Sequence, residues 1–453
     1  VTLPSALLDS LDGLPSFNRQ AFIDVHAAGR QVVSIRTNPY KSTDLAVLNN
    51  SSRVPWASAG FYLPERPSFT FDPSFHGGAY YVQEASSMFL EQALRQTLDL
   101  SQPLTVLDLC AAPGGKSTHI QSLLSDGSVL VTNEVIRARV TILAENITKW
   151  GAANAIVTNN DPKDFSHLHQ LFDAIVVDAP CSGSGLFRKD ADAVSEWSED
   201  NVKLCSQRQQ RILAAVWPAL KPGGVLIYST CSYSEAEDEA IADWLTDTCH
   251  ATNIPLQLNA DWGIVETASP NHQNKGYRFY PYNVDGEGFY LSCFRKANEE
   301  EESYSIKPPK NQPDKKVVLA VQKWIKPDSG LQIYQHEEQV FCMPPNTLRL
   351  FLQLQKPLNI RKAGIKLGDW ARDEIIPDHA LAVSVICHTN LPKLELSRES
   401  AIQYLQKKDF AFDNLPKGWL LITFGGLSLG WIKSMGNRIN NYYPKEWRIR
   451  KEA

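Results

Sequence analysis

A chain of 453 residues exceeds one ordinary domain, and at about 100–200 residues per domain it points to two to four. Hydrophobic residues at 43% and charged residues at 21% match ordinary globular composition, and no apolar run approaches the ~18 residues of a spanning helix, so disorder and membrane burial are poor explanations. The net charge of −5 divides unevenly, with −14 on residues 1–302 and +9 on residues 303–453, an acidic body with a basic tail suited to a polyanionic partner.

Residues 1–100 read as a small α+β subdomain with an RNA-binding role. Its first stretch, Val1 to Gly13, lacks the basic start and apolar centre of a signal peptide. Residues 101–297 alternate strand and helix patterns. Strand-like runs occur at Thr105-Val106-Leu107, Val129-Leu130-Val131, Ala155-Ile156-Val157, Ala174 to Val177, Val225 to Tyr228 and Phe289 to Phe294, with helical patterns at Arg139–Trp150 and Asn201–Leu220. The first five strands predict a doubly wound sheet. Lys221-Pro222-Gly223-Gly224 is expected to break the helix before the next strand. Acidic Glu299 to Glu302 and proline-rich Lys307 to Lys316 predict a linker over 298–316. Residues 317–390 read as an intermediate α+β region. In 391–453, Trp419 to Phe424 and Leu427 to Trp431 flank Gly425-Gly426 as a hairpin does, predicting a small β-rich domain. Eight cysteines without a CxxC pair argue for a reducing, cytoplasmic setting and against a zinc site.

Three strand ends carry a cofactor pattern. The loop Asp108-Leu109-Cys110-Ala111-Ala112-Pro113-Gly114-Gly115-Lys116-Ser117 follows the first strand. It is neither GxGxxG nor a phosphate loop, so a ligand with a nucleoside and a zwitterionic amino-acid end fits better than a dinucleotide. Glu134 after the second strand is placed to accept from ribose hydroxyls, and Asp161 after the third from an adenine amine; alone, either acid is more often a helix cap or a solvated loop residue. Two thiols follow the next two strands, Cys181 in Asp178-Ala179-Pro180-Cys181-Ser182-Gly183 and Cys231 in Tyr228-Ser229-Thr230-Cys231-Ser232. Buried strands open into ligand sites at their carboxyl ends, so both thiols are expected to face one crevice. The residues alone leave open which of them attacks a substrate.

The three motifs together resemble the S-adenosylmethionine-dependent RNA cytosine-5 methyltransferases of the Sun and nucleolar-protein family. Flanking segments agree: Ser34-Ile35-Arg36-Thr37-Asn38, Tyr81 to Met88, Phe187-Arg188-Lys189-Asp190 and Arg278 to Tyr290. With Gly418 to Tyr443 similar to the core of a PUA-type RNA-binding domain, the architecture is similar to the bacterial small-subunit ribosomal RNA members of that family. The resemblance implies a Rossmann-like doubly wound class I methyltransferase sheet, an N-terminal α+β subdomain and a C-terminal PUA-like domain. It implies S-adenosylmethionine as cofactor, held by Cys110, Ala111, Ala112, Pro113, Gly114, Gly115, Lys116, Glu134, Asp161 and Asp178. It also implies Cys231 as the nucleophile and Cys181 as the thiol that assists breakdown of the adduct.

Cytosine carbon 5 takes a methyl group from a sulfonium only after a thiolate has added to carbon 6, which is why the chemistry needs such a cysteine. Asp178 is expected to hydrogen-bond the cytosine edge, with Lys116 neutralising charge beside it. Arg188 and Lys189 are candidates for backbone phosphates of a strand whose target base has left its stack. Lys433, Arg438, Lys445, Arg448, Arg450 and Lys451 beside Trp431, Tyr442, Tyr443 and Trp447 suit phosphate contacts and stacking. The tail is therefore expected to dock RNA, so that its deletion leaves cofactor affinity unchanged. The chain is expected to be a monomer without a membrane partner. An amino-methyltransferase would carry Asn/Asp-Pro-Pro-Tyr/Phe where this chain has Asp178-Ala179-Pro180-Cys181. Transfer RNA is the alternative substrate, and a catalytically silent RNA-binding module the alternative of another class.

Overall fold

The computed structural model describes residues 3–41, 44–298, 313–327, 329–413 and 415–452. Residues 299–312, most of the expected linker, lie outside the described residues. Strands Thr105–Asp108, Val129–Asn133, Ala155–Thr158, Phe172–Asp178 and Leu220–Thr230 run parallel, and Phe289–Arg295, Lys275–Phe279 and Val265–Ala268 extend the sheet antiparallel beyond Leu220–Thr230. This is the mixed, doubly wound Rossmann-like sheet expected from the alternating pattern. Ala174–Val177 and Val225–Tyr228 are fully buried because helices cover both faces, which is why these runs are apolar throughout rather than alternating.

Helix Arg137–Trp150 begins slightly earlier than its apolar periodicity indicates, and helix Glu199–Val216 ends before Leu220. A 3₁₀ turn at Trp217–Ala219 carries Pro218, so the helical register stops there and not at Lys221. Lys221 to Gly224 bulge out of the strand Leu220–Thr230: its pairing register shifts between Phe172 and Ala174, Gly223 turns at φ +71°, and Gly223 N donates to Lys296 O at 3.1 Å.

Before this sheet, Ser52–Arg53, Gly60–Leu63, Val33–Thr37 and Tyr80–Val82 make a four-stranded antiparallel sheet. Arg36 leaves that sheet buried and donates to Gln83 Oε1 at 2.8 Å, Thr118 Oγ1 at 2.6 Å and Gly115 O at 3.3 Å. It therefore ties the subdomain to the start of helix Gly115–Leu123. Helices Ser5–Leu11 and Arg19–Ala27 place Leu7, Leu11 and Phe22 against Phe187, Trp197 and Tyr233, over the loop that follows Cys181.

Description resumes at Pro313, and helix Lys315–Val321 starts at once, capped by the Asp314 carboxylate. Four antiparallel strands, Gln332–His336, Gln339–Met343, Ile365–Ala371 and Glu374–Pro377, follow with helix Pro345–Leu354. Strand Ile360–Ala363 leaves that group and pairs antiparallel with Ala155–Thr158, closing the edge of the central sheet. The last sheet has Lys393–Glu395 parallel to Gly418–Phe424, which pairs antiparallel with Leu427–Ser434 and then Ile439–Asn441. Gly425 and Gly426 sit at φ +55° and +75°, the left-handed pair a two-residue hairpin turn requires.

The aromatic tail residues divide. Trp431 and Tyr443 are each 1% exposed and belong to hydrophobic cores, so they are not stacking surfaces. Tyr442 is 39% exposed, its ring 4.5 Å from that of Trp419, and Lys433 Nζ lies 5.3 Å from the Trp419 ring. Among the described residues, no helix is long and apolar enough to cross a membrane.

Candidate active site

Parallel pairing aligns the strand ends that carry the motifs. Asp178 is in register with Ser229, and Asp108 with Val176. Cys181 and Cys231 therefore emerge from neighbouring strands, and their Sγ atoms lie 3.0 Å apart. The loops meet at Gly185, whose N–H donates to Cys231 O at 2.8 Å; a Cβ there would sit 2.5 Å from Gly288 O, so glycine is needed for the approach.

A cavity of about 850 Å³ opens at these strand ends. Asp178, Cys181 and Cys231 line one part, and Cys110, Ala112, Glu134 and Asp161 another. Leu109 also lines it, whereas Ala111, Pro113, Gly114, Gly115 and Lys116 stand outside the lining. Ala111 packs with Val140 and Leu143, Asn146 Nδ2 donates to Pro113 O at 2.8 Å, and Gly114 caps the helix that Gly115 begins. Lys116 crosses to Asp178, Nζ to Oδ2 2.8 Å, while Ser229 Oγ donates to Asp178 Oδ1 at 2.9 Å. Burial alone would lower the Lys116 pKa, but the Asp178 carboxylate beside it carries it above the ordinary value. The Cys181 thiol is raised, first by its hydrogen bond to Cys231 and then by burial and the Cys231 charge, and so holds its proton. Behind the loop, burial pushes the Asp108 carboxyl up to about 7; it accepts from Ser117 Oγ at 2.6 Å.

Asp161 caps the 3₁₀ turn Pro162–His167 and Glu134 holds the residue just before helix Arg137–Trp150, and both face the cavity. Glu134 Oε1 accepts from Ile136 N at 2.8 Å with Arg139 Nη1 3.4 Å from Oε2, and Asp161 Oδ1 accepts from Lys163 N at 3.0 Å. Such bonds fix a carboxylate before any ligand arrives, and carboxylates have lone pairs to spare. Two acids held this way, opposite a small-residue loop, suit the hydroxyl and amine donors of a nucleoside.

Arg188 departs from the expected phosphate contact. Its side chain is 3% exposed, donates to Arg30 O at 2.7 Å and lies 3.5 Å from buried Glu287, so it is a structural ion partner. Lys189 keeps a third of its side chain exposed, with Nζ 4.0 Å from Glu287 Oε1. Arg208 and Arg211, absent from the residues expected at the site, are exposed, lie one turn apart and reach the cavity from helix Glu199–Val216. Their signal was present: two cations at i, i+3 on a helix whose other face, Cys205, Gln209 and Leu213, is buried.

Three family models match parts of the chain. Residues 95–295 match the family described as 16S rRNA methyltransferase RsmB/F, residues 3–85 the N-terminal domain of 16S rRNA methyltransferase RsmF, and residues 391–449 the methyltransferase RsmF PUA domain. Ribosomal RNA small subunit methyltransferase F of Shewanella loihica is 30% identical over 438 residues, covering 91% of this chain and 88% of the relative. The chain belongs to the RsmB/F family of 16S rRNA methyltransferases. The Salmonella arizonae enzyme of the same name is 31% identical over 414 residues, 87% of this chain and 84% of that one. Among solved structures, a methyltransferase homologue from Pyrococcus horikoshii aligns over 65% of this chain and all (100%) of its own with 28% identity and a TM-score of 0.50. NSun6 of Pyrococcus horikoshii, solved with SFG, aligns over 65% of this chain and 99% of its own with 19% identity and a TM-score of 0.53, a likeness of fold. Membership makes the chain one of the S-adenosylmethionine-dependent methyltransferases of small-subunit rRNA with a PUA domain at its carboxyl end.

Proposed function

We propose that this chain methylates carbon 5 of a cytosine in small-subunit ribosomal RNA through a covalent adduct at Cys231. The observation that carries the reading is the pair of thiols 3.0 Å apart in the cavity that Glu134 and Asp161 also line. Methylation of an exocyclic amine needs no thiol, whereas carbon 5 needs one to become nucleophilic.

The Cys231 thiolate adds to carbon 6, and the displaced electron pair is drawn towards ring nitrogen 3, where Asp178 is placed to hold the proton that arrives. Carbon 5 then takes the methyl group that S-adenosylmethionine supplies. The carbon 5 proton passes to a base at the site and the ring nitrogen 3 proton is given back, which restores the double bond and expels the Cys231 thiolate. Cys181 assists this release, as the resemblance to the Sun family implies. The target base must leave its stack to reach the thiols. Arg208 and Arg211 at the cavity and Lys189 nearby are suited to the flanking phosphates. Bisulfite sequencing of small-subunit rRNA from a deletion strain tests the reading: a cytosine that loses protection identifies the target, and an unaltered protection pattern overturns it.

Two further results are expected. Glu134→Gln should weaken S-adenosylmethionine binding by ~1–3 kcal/mol, the scale of a buried charge-assisted hydrogen bond, as calorimetry would read. Unchanged affinity would move the ribose site elsewhere. Pairing Lys433→Glu with Tyr442→Ala should weaken RNA binding at least tenfold, ~1.4 kcal/mol, and flatten its salt dependence without touching cofactor affinity. Equal RNA affinity and salt slope would remove the Trp419–Tyr442 face from the RNA interface.

A further inference from the structure

A carboxylate that the reaction above does not use lies between the two thiol loops. Glu237 sits in the 3₁₀ turn Glu235–Glu237, is 0% exposed, and is not among the residues lining the cavity. Its Oε2 accepts from Ser182 Oγ at 2.5 Å and from Ser232 Oγ at 2.6 Å. Its Oε1 accepts from Ser182 N at 2.8 Å and Gln209 Nε2 at 3.3 Å. Ser182 follows Cys181 and Ser232 follows Cys231, so one side chain grips the residue next to each thiol.

The grip is itself anchored. Gln209 Nε2 also reaches Pro180 O at 3.1 Å, just before Cys181, and the single Tyr228 hydroxyl proton lies between two acceptors, Glu237 O at 2.6 Å and Gln209 Oε1 at 3.0 Å. Ser232 Oγ accepts from Ser234 N at 3.0 Å, so both ends of the Cys231 loop meet this network. A carboxylate is costly to bury unless its lone pairs are met, and here four donors meet them. Apolar packing would also close the gap between the loops, but it is non-directional, whereas these bonds fix distance and orientation together.

We infer that Glu237 is a positioning residue for the two-thiol reaction, setting Cys181 against Cys231 by holding Ser182 and Ser232 on one carboxylate. The inference rests on the covalent reading of the site. Addition and release are separate steps performed by different loops, so each serine bond serves a different step. The Ser232 bond orients the attacking sulfur. The Ser182 bond orients the sulfur that assists release.

The test uses the full chain, S-adenosylmethionine and small-subunit rRNA transcribed with 5-fluorocytidine. Fluorine at carbon 5 does not leave as a proton, so the methylated adduct stays on Cys231 and its rate of formation is read on a denaturing gel. Turnover and steady-state adduct are read on unmodified RNA. Glu237→Ala should slow adduct formation at least a hundredfold with cofactor affinity within twofold of wild type, and Glu237→Gln, which keeps an oxygen acceptor, should recover at least tenfold of that. Ser232→Ala should slow adduct formation at least tenfold. Ser182→Ala should form the fluorinated adduct at the wild-type rate yet leave a larger fraction of enzyme bound to unmodified RNA. The two serine variants decide the matter even where Glu237→Ala does not fold. Serine variants within twofold of wild type in both assays, or both slowed alike in every step, would overturn the positioning role. Wild-type enzyme that forms no fluorinated adduct would overturn the covalent reading and the inference with it, an outcome distinct from the other two.

Discussion

Cys231→Ala is expected to reduce methyl transfer below a few per cent of wild type while leaving S-adenosylmethionine affinity nearly intact. On the proposed mechanism the thiol acts on the base and not on the sulfonium, and Glu134 and Asp161, the residues proposed to hold the cofactor, come from different strand ends of the same cavity. Cys181→Ala should behave in the opposite sense. Addition through Cys231 survives, release is impaired, and a covalent enzyme–RNA species accumulates as a retarded band under denaturing conditions. Because the two sulfurs lie 3.0 Å apart, a general disturbance of the pocket would affect both variants alike. The division of labour therefore rests on the contrast. If the Cys181 variant binds cofactor but shows no retarded band, or if the Cys231 variant retains turnover, the assignment fails.

What was legible in the sequence depended on whether a residue's partner lay nearby along the chain. The sheet was legible because buried parallel strands must be apolar on both faces, as Ala174–Val177 and Val225–Tyr228 are. The two thiols stood out because each sits in a short polar motif directly after such a run. Glu237 did not, because Glu235-Ala236-Glu237-Asp238-Glu239 reads as a solvated acidic stretch. Glu237, Asp238 and Glu239 are in fact buried: Glu237 accepts from Ser182 and Ser232, Asp238 accepts from Thr230 on Oδ1 with Arg278 Nη2 3.2 Å from Oδ2, and Glu239 accepts from Arg278 and Thr267. Arg188 misled for the same reason, its acidic partner Glu287 lying on a distant segment. Strand Ile360–Ala363 was invisible because its pairing with Ala155–Thr158 is a matter of backbone, and Ile-Arg-Lys-Ala carries no apolar pattern.

Deletion of the chain after residue 302 is expected to destabilise the methyltransferase domain and weaken S-adenosylmethionine binding, against the sequence-based expectation of a separable docking tail. Met343, Leu348, Leu350, Phe351, Leu354 and Leu358 are buried in the same core as Leu107, Val131 and Ile156 of the central sheet. Each such side chain contributes ~1.5–3 kcal/mol on burial, so together they reach the order of 10 kcal/mol, comparable with the ~5–15 kcal/mol that holds an ordinary domain folded. The same segment supports the cavity directly. Asn159 N donates to Asn359 O at 3.0 Å, Asn359 N donates to Asn160 Oδ1 at 2.9 Å, and Arg361 Nη2 donates to Asn159 Oδ1 at 3.2 Å. Asn159 and Asn160 immediately precede Asp161, so loss of these bonds releases the loop that presents its carboxylate. Thermal unfolding and calorimetry on the 1–302 chain would read both effects. A melting temperature within a few degrees of the full chain, with unchanged cofactor affinity, would show that the carboxyl-terminal region docks RNA and supports nothing else.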